Sequence, residues 1–112
     1  MWKWTKVSED LEGDTYYVDF QRIRKHDSYV YWWVLTDFLK PDEDGDLSYK
    51  AYHQGDCKLF RYKYLSVSRY KEPMGSGSGF NVPTASLPKD WNYPSPKSSI
   101  EIILKAICKH AE

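Results

Sequence analysis

The sequence predicts an α+β domain in which antiparallel strands form one sheet and a single helix lies near the end of the chain. The 112 residues include 10 Tyr and 5 Trp, residue types that favour strands and partly wet surfaces. Short apolar segments are separated by turns that contain Gly, Pro and Asp, as in a sheet. Only residues 98–110 carry apolar side chains at the three- and four-residue spacing of a helix. This length suits one core, so we expect residues 1–112 to form one domain.

The strongest strand signal is at residues 29–39. Its two alternating sets of side chains are both apolar, which is typical of a central strand covered on both faces. Before it, residues 2–9 and 15–20 read as a hairpin, and the polar segment 21–28 has room for one helical turn.

The remaining strands follow the acidic turn at residues 40–46. Residues 47–54 and 57–70 read as two antiparallel strands, and the Gly- and Pro-rich stretch after them leaves room for a short edge strand at 80–82. We therefore expect a sheet of about five or six strands.

The helix has a recognisable start and one apolar stripe. Ser98 and Glu101 form the S-x-x-E pattern of a capping box. The stripe directs Cys108 towards the sheet and consists of Ile100, Ile103, Leu104, Ile107, Cys108 and Ala111. The only other cysteine is Cys57, at the predicted start of a strand. From these residues alone, two buried free thiols and a disulfide are both open, whereas the absence of C-x-x-C argues against a redox pair or a zinc ribbon.

Catalytic, metal and cofactor sites find no support in the sequence. The acidic turn lacks the ligand spacing of a calcium loop, and the glycines of residues 75–79 lack the Lys and the helix of a phosphate loop. The three histidines stand singly and form no acid–base or nucleophile constellation with the aspartates. We therefore expect no enzyme, no metal site and no cofactor.

Charge and hydropathy exclude other classes. The formal net charge is +0, which disfavours a nucleic-acid binder even though residues 58–64, Lys-Leu-Phe-Arg-Tyr-Lys-Tyr, interleave basic and aromatic side chains as single-strand binders do. No segment is apolar enough to span a bilayer, and none near Met1 has the apolar core of a signal peptide.

Several segments resemble, in order, the surface-adhesin protein E family of bacterial exported domains. The resemblance covers nearly the whole chain, and its most specific parts are the blocks Tyr17–Asp19 and Asp56–Lys58 and the tail from Trp91 to Cys108. The matching segments are GDTYYVDFQRIRK, VYWWVLTDFLKP, DCKLFRYKYLS, MGSGSG and WNYPSPKSSIEIILKAIC.

The resemblance implies how the helix and the sheet are joined. It implies a single antiparallel sheet with the helix on its concave face, held by a disulfide between Cys57 and Cys108. It also implies an exported protein of the periplasm, the cell surface or the medium, whose signal peptide has been removed. The family is named for lipoprotein adhesins that bind host matrix proteins; no lipobox cysteine is present here, so membrane anchoring stays open.

The first functional hypothesis is an exported, non-enzymatic binding or adhesion module that acts through protein contacts. If Cys57 faces the helix, strand alternation turns the aromatic side chains that follow it to the opposite face. With neighbours from the central strand they would form a contact surface for a protein partner or a second copy. The predicted contact residues are Phe60, Tyr62, Tyr64, Tyr31 and Trp33, and Tyr49 is an alternative neighbour.

The second hypothesis is a carrier of a small ligand or of haem, in the periplasm or at the cell surface. Haem would need an axial ligand in an apolar pocket, for which His53 and His26 are candidates. We expect neither a nucleic-acid partner nor an integral membrane segment.

Overall fold

One antiparallel sheet with a helix packed on it makes up the structure, a computed structural model that describes residues 1–112. The elements, numbered in chain order, are β1 Thr5–Glu9, β2 Thr15–Val18, β3 Arg24–His26, β4 Tyr29–Asp37, β5 Ser48–Asp56, β6 Arg61–Tyr70, β7 Gly79–Asn81 and α1 Ser99–His110. The strand order is β1-β2-β4-β5-β6-β7, with β3 paired to β4 beside β2. The single sheet, the C-terminal helix and the disulfide are confirmed; the strand count of seven exceeds the predicted five or six.

The extra strand, β3, lies in the polar segment before the central strand. Asp27 and Ser28 both have positive φ angles, 51° and 78°, and they join His26 to its partner Tyr29. A two-residue loop in which both residues have the left-handed backbone conformation matches the right-handed twist of the two strands that it joins. Upstream of β3, Phe20–Arg22 forms the short helical turn for which the sequence left room.

The start of α1 follows the capping pattern with one change. Ser98 Oγ accepts a hydrogen bond from the Glu101 backbone N–H at 3.2 Å. The Glu101 carboxylate accepts from the Lys97 N–H at 3.0 Å rather than from that of Ser98. The first bond satisfies an amide of the first helical turn that has no partner within the helix, and the second holds the residue just before the N-cap. Together they fix where the helix begins.

The helix packs on one face of the sheet, called here the helix-side face; the opposite one is the outer face. Alternate residues of β4 pack against the buried stripe of α1, and they are Val30, Trp32 and Val34. Gly55 makes room for this packing, because a Cβ atom there would lie 2.5 Å from the Trp32 ring.

Cys57 and Cys108 form the disulfide, with their Cα atoms 5.7 Å apart. Cys57 lies in a turn after β5 rather than at the start of a strand, because residues 57–60 form that turn and β6 begins at Arg61. Asp56 organises the turn: its carboxylate accepts from the N–H groups of Lys58 and Leu59 at 3.1 and 3.3 Å and from Arg61 Nε at 3.0 Å.

In its length and apolar character, α1 does not meet the requirements of a membrane-spanning helix.

Candidate functional site

The sheet divides the predicted contact residues between its two faces. Tyr31 and Trp33 lie on the outer face, since they alternate with the β4 residues that pack on α1. Tyr62 belongs to the core cluster with α1, Tyr64 packs against the same cluster, and Phe60 packs on it from the turn. The expectation that Phe60, Tyr62 and Tyr64 face away from the helix is therefore wrong.

The physical reason is the turn before β6. Alternation from Cys57 requires a continuous strand, but residues 57–60 form a turn, inside which Phe60 has a φ of +53°. The chain therefore enters β6 at Arg61 with the opposite phase, and Tyr62 rather than Arg61 points at the helix. A non-glycine residue with positive φ has no strong sequence signal, which explains why the sequence did not reveal the change.

The outer face carries a continuous group of partly exposed rings, called here the outer aromatic face. It consists of Trp2, Trp4, Tyr31, Trp33 and Tyr52. Trp33 and Tyr52 are partners across β4 and β5, with ring centroids 4.7 Å apart, and Trp2 meets the Trp33 ring edge-on at 5.4 Å. Since Tyr52 pairs directly with Trp33, a correct register for the β4–β5 hairpin would have identified it from the sequence.

Basic side chains border these rings. Arg22 and Lys50 lie 4.3 and 4.7 Å from the centre of the Trp2 ring, on which their cationic groups stack. Further along the sheet, Arg61 and Lys63 lie 4.3 and 4.6 Å from the Trp91 ring. Aromatic surface bordered by cations is typical of protein-contact sites.

A second feature, called here the helix-side cavity, lies between α1 and the sheet. It is open to solvent and has a volume of about 850 Å³. The start of α1, the β1–β2 turn and the helix-side face of the sheet form its walls. Tyr49, the alternative neighbour considered from the sequence, lines this cavity together with Tyr62 and Tyr64.

His53 is an almost fully buried residue of the cavity wall, with 2% of its surface exposed. Its ring packs against Trp32, Tyr62 and Tyr64 at centroid distances of 5.3, 5.5 and 4.8 Å. Its Nδ1 atom has no hydrogen-bond partner. Burial lowers the pKa of His53 to about 4, and the nearby Lys63 backbone has a smaller, opposite effect. The imidazole is therefore neutral at physiological pH.

Three tyrosines of the cavity, Tyr16, Tyr49 and Tyr64, are neutral as well. Burial raises the pKa of Tyr64 to about 12, and it raises the pKa of Tyr49 too. Burial, together with the hydrogen bond that Tyr16 donates to Asp10 Oδ2 at 2.9 Å, raises the Tyr16 pKa. The interior of the cavity thus offers aromatic surface and uncharged hydrogen-bonding groups.

Carboxylates surround the mouth of the cavity on the side of the β1–β2 turn. Glu9, Asp10, Glu12 and Asp14 are among the lining residues, and Lys97 is the only basic one. Asp10 is held by the turn, because its Oδ1 atom accepts from the N–H groups of Glu12 and Asp14. The Glu12 side chain makes no hydrogen bond or ion pair.

The acidic turn between β4 and β5 is tied down by basic residues of the sheet. The carboxylates of Asp42, Asp44 and Asp46 lie within 4.8 Å of one another. Arg69 Nη1 contacts Asp44 at 2.9 Å, and Lys71 Nζ contacts Asp46 at 3.0 Å. These ion pairs balance part of the negative charge, and we assign no metal to the cluster.

His26, the other haem-ligand candidate, is exposed in β3 and contacts Asp27 at 3.1 Å. It does not line the helix-side cavity, whereas His53 does. The structure thus does not bring the two histidines to one site.

Comparisons with known proteins agree with this architecture. The chain superposes on Haemophilus influenzae protein E in crystal form II with a TM-score of 0.72 and 14% identity, covering 97% of this chain and 90% of that one. A second structure of Haemophilus influenzae protein E gives a TM-score of 0.69 with 15% identity, covering 95% and 83%. A search among curated protein sequences finds no match. At this identity the structural likeness shows the fold alone, but residues 4–109 match the profile of the family described as surface-adhesin protein E, and the chain therefore belongs to that family.

Proposed function

We propose that this domain is an exported, non-enzymatic binding module that acts through protein contacts at the outer aromatic face. The observation that carries the proposal is the group of rings on the side of the sheet that α1 leaves uncovered, bordered by Arg22 and Lys50. Membership of a surface-adhesin family supports both export and adhesion.

The chemistry of this face fits a protein partner. Trp, Tyr and Arg supply most of the binding energy at protein interfaces, because they bury large areas and still offer polar groups. Trp33 and Tyr52 are held against each other by the register of β4 and β5, so little conformational entropy is lost when a partner covers them.

The test is binding to immobilised extracellular-matrix proteins such as fibronectin, laminin and type IV collagen. We expect Trp33→Ala to weaken binding to a recognised matrix protein by at least tenfold, since a central aromatic residue commonly contributes about 2 kcal/mol or more. Phe80→Ala, which removes an exposed ring from the edge strand β7, is the matched control and should leave binding unchanged. Equal binding by both variants would refute the assignment of this face.

A second copy of the chain is the alternative occupant of the same face. Sedimentation of the wild-type protein and of Trp33→Ala at increasing concentration separates the two cases. A dimer that the substitution dissociates would identify the face as a homodimer interface, and monomers in both samples support a different protein as partner.

The haem-carrier hypothesis receives less support from the geometry. The cavity that contains His53 has carboxylates at its mouth, and these would repel the anionic propionates of haem. His26 lies outside this cavity, so it does not supply a second axial ligand opposite His53.

A further inference from the structure

We propose that the helix-side cavity binds a small organic amine, with an aromatic body in the uncharged interior and the ammonium group among the carboxylates at the mouth. This site lies on the opposite face of the sheet from the proposed protein contacts and does not depend on them. Its volume of about 850 Å³ falls within the range of small-molecule sites, about 300–1,000 Å³.

The interior suits an aromatic ring. Ile100 and Ile102 supply apolar surface beside the rings of Tyr49 and Tyr64. Beneath them lie the almost fully buried side chains of Val34, Ala51 and Ile103. Aromatic side chains can pack on a ligand ring edge-on or stacked, and none of the interior groups carries a charge at physiological pH.

His53 indicates that the ligand also has a hydrogen-bonding group. The side chain is almost fully buried, yet its Nδ1 atom has no partner. Buried polar groups are nearly always paired in folded proteins, and His53 is one of the residues that line the cavity. A ligand hydroxyl or N–H that reaches the Nδ1 atom would give it the partner that it lacks. Since the imidazole is neutral, it can either accept from such a group or donate to it.

The mouth determines the preferred charge of the ligand. Glu9 at the end of β1 and three carboxylates of the β1–β2 turn line the mouth together with Lys97. Glu9 also pairs with Lys6 at 2.9 Å. The excess of negative charge favours a cation and repels an anion of the same shape. Glu12 is the carboxylate best placed to pair with an ammonium group, because it is free of competing contacts.

The test uses three probes that differ mainly in charge: tyramine, the neutral 4-hydroxyphenylethanol and the anionic 4-hydroxyphenylacetate. Each is titrated into the ¹⁵N-labelled protein at pH 7 and low ionic strength while amide chemical shifts are followed. We expect tyramine to shift the amides of Ala51, His53 and Ser99 and to bind at least tenfold more tightly than the anion. Equal affinities, or shifts outside the cavity only, would overturn the proposal, as would no binding of tyramine at 10 mM.

Variants then separate the two parts of the site. Glu12→Gln should weaken tyramine binding about threefold, whereas Glu43→Gln, the same change on an exposed residue that does not line the cavity, should have no effect. Phenethylamine lacks the hydroxyl of tyramine; we expect it to bind several-fold more weakly to the wild-type protein, and His53→Phe should abolish that difference. If His53→Phe does not fold, the comparison of the two amines on the wild-type protein still decides the role of the hydroxyl, and equal binding of both contradicts it.

Discussion

His53 shows how one side chain can carry both a stability cost and a functional signal. It is a neutral imidazole enclosed by Trp32, Tyr62 and Tyr64, with one nitrogen unpaired. An apolar residue of similar size would pack there without that cost. A ligand that pairs with this nitrogen would remove that cost.

The burial of His53 also predicts a pH dependence of stability. Its pKa is lowered from 6.5 to about 4 in the folded protein, so the unfolded chain takes up a proton more readily. The contribution of His53 is fully present above about pH 6.5 and is lost as the pH falls towards 4. We expect the free energy of unfolding to fall by roughly 2–3 kcal/mol from this residue between pH 7.5 and pH 4.5.

Urea unfolding of the wild-type protein and of His53→Phe at both pH values measures this effect. The variant should lose less stability on acidification, by the amount that His53 contributes. Asp56, whose carboxyl pKa is lowered from 3.8, acts below this pH window. Parallel pH profiles for the two proteins would show that His53 is not the titrating group.

At the scale of elements, the disulfide between α1 and the β5–β6 turn is expected to make a large contribution to the free energy of unfolding. Cys57 and Cys108 are separated by 51 residues, and cross-linking a loop of that length restricts the unfolded chain strongly. We expect the Cys57→Ser/Cys108→Ser variant to lose about 4 kcal/mol of unfolding free energy relative to the oxidised wild type. Guanidinium unfolding with and without a reducing agent measures it.

The control for that experiment is the response to the reductant. Reduction should shift the unfolding midpoint of the wild-type protein and leave that of the double variant unchanged. A wild-type protein that is alkylated without prior reduction, or that has the same midpoint as the variant, would contradict a stabilising disulfide.

At the scale of the whole molecule, the sheet separates two surfaces of different chemistry. The outer aromatic face is bordered by cations, whereas the helix-side cavity has an acidic mouth. We therefore expect the two proposed sites to be energetically independent. Trp33→Ala should leave the tyramine affinity within twofold of wild type, and Glu12→Gln should leave binding to matrix proteins unchanged, as measured by the assays described above. A substitution that weakens binding on the opposite face would show that the sheet transmits a change between them.

The sequence was informative about elements whose patterns are local. The two-sided apolar pattern identified β4, and the Ser98–Glu101 pattern with its stripe identified α1, because both signals arise from side-chain periodicity. The resemblance to the family supplied the Cys57–Cys108 pairing, which the residues alone left open. The strand β3 was missed because it is short, polar and exposed, so it has no apolar alternation to detect.

The sites were harder to predict because they depend on how elements meet. The turn at residues 57–60, in which Phe60 has a positive φ angle, pairs Asp56 with Arg61 and so sets the phase of β6. Tyr62 and Tyr64 consequently lie on the helix side and not on the outer face. The cavity depends on how far α1 extends over the sheet, which no local pattern specifies. Trp91 joins Arg61 and Lys63 only because backbone hydrogen bonds between Asn92 and Tyr62 bring its segment back to β6.

The position of the covalent link has a mechanical consequence. Tension applied to the chain beyond Cys108 passes across the sulfur atoms directly to Cys57, the first residue after β5. The enclosed segment, which contains β6, β7 and most of α1, is thereby shielded from the pulling force. A surface-attached molecule under fluid shear would keep the shape of that segment until β5 itself is torn from its neighbours.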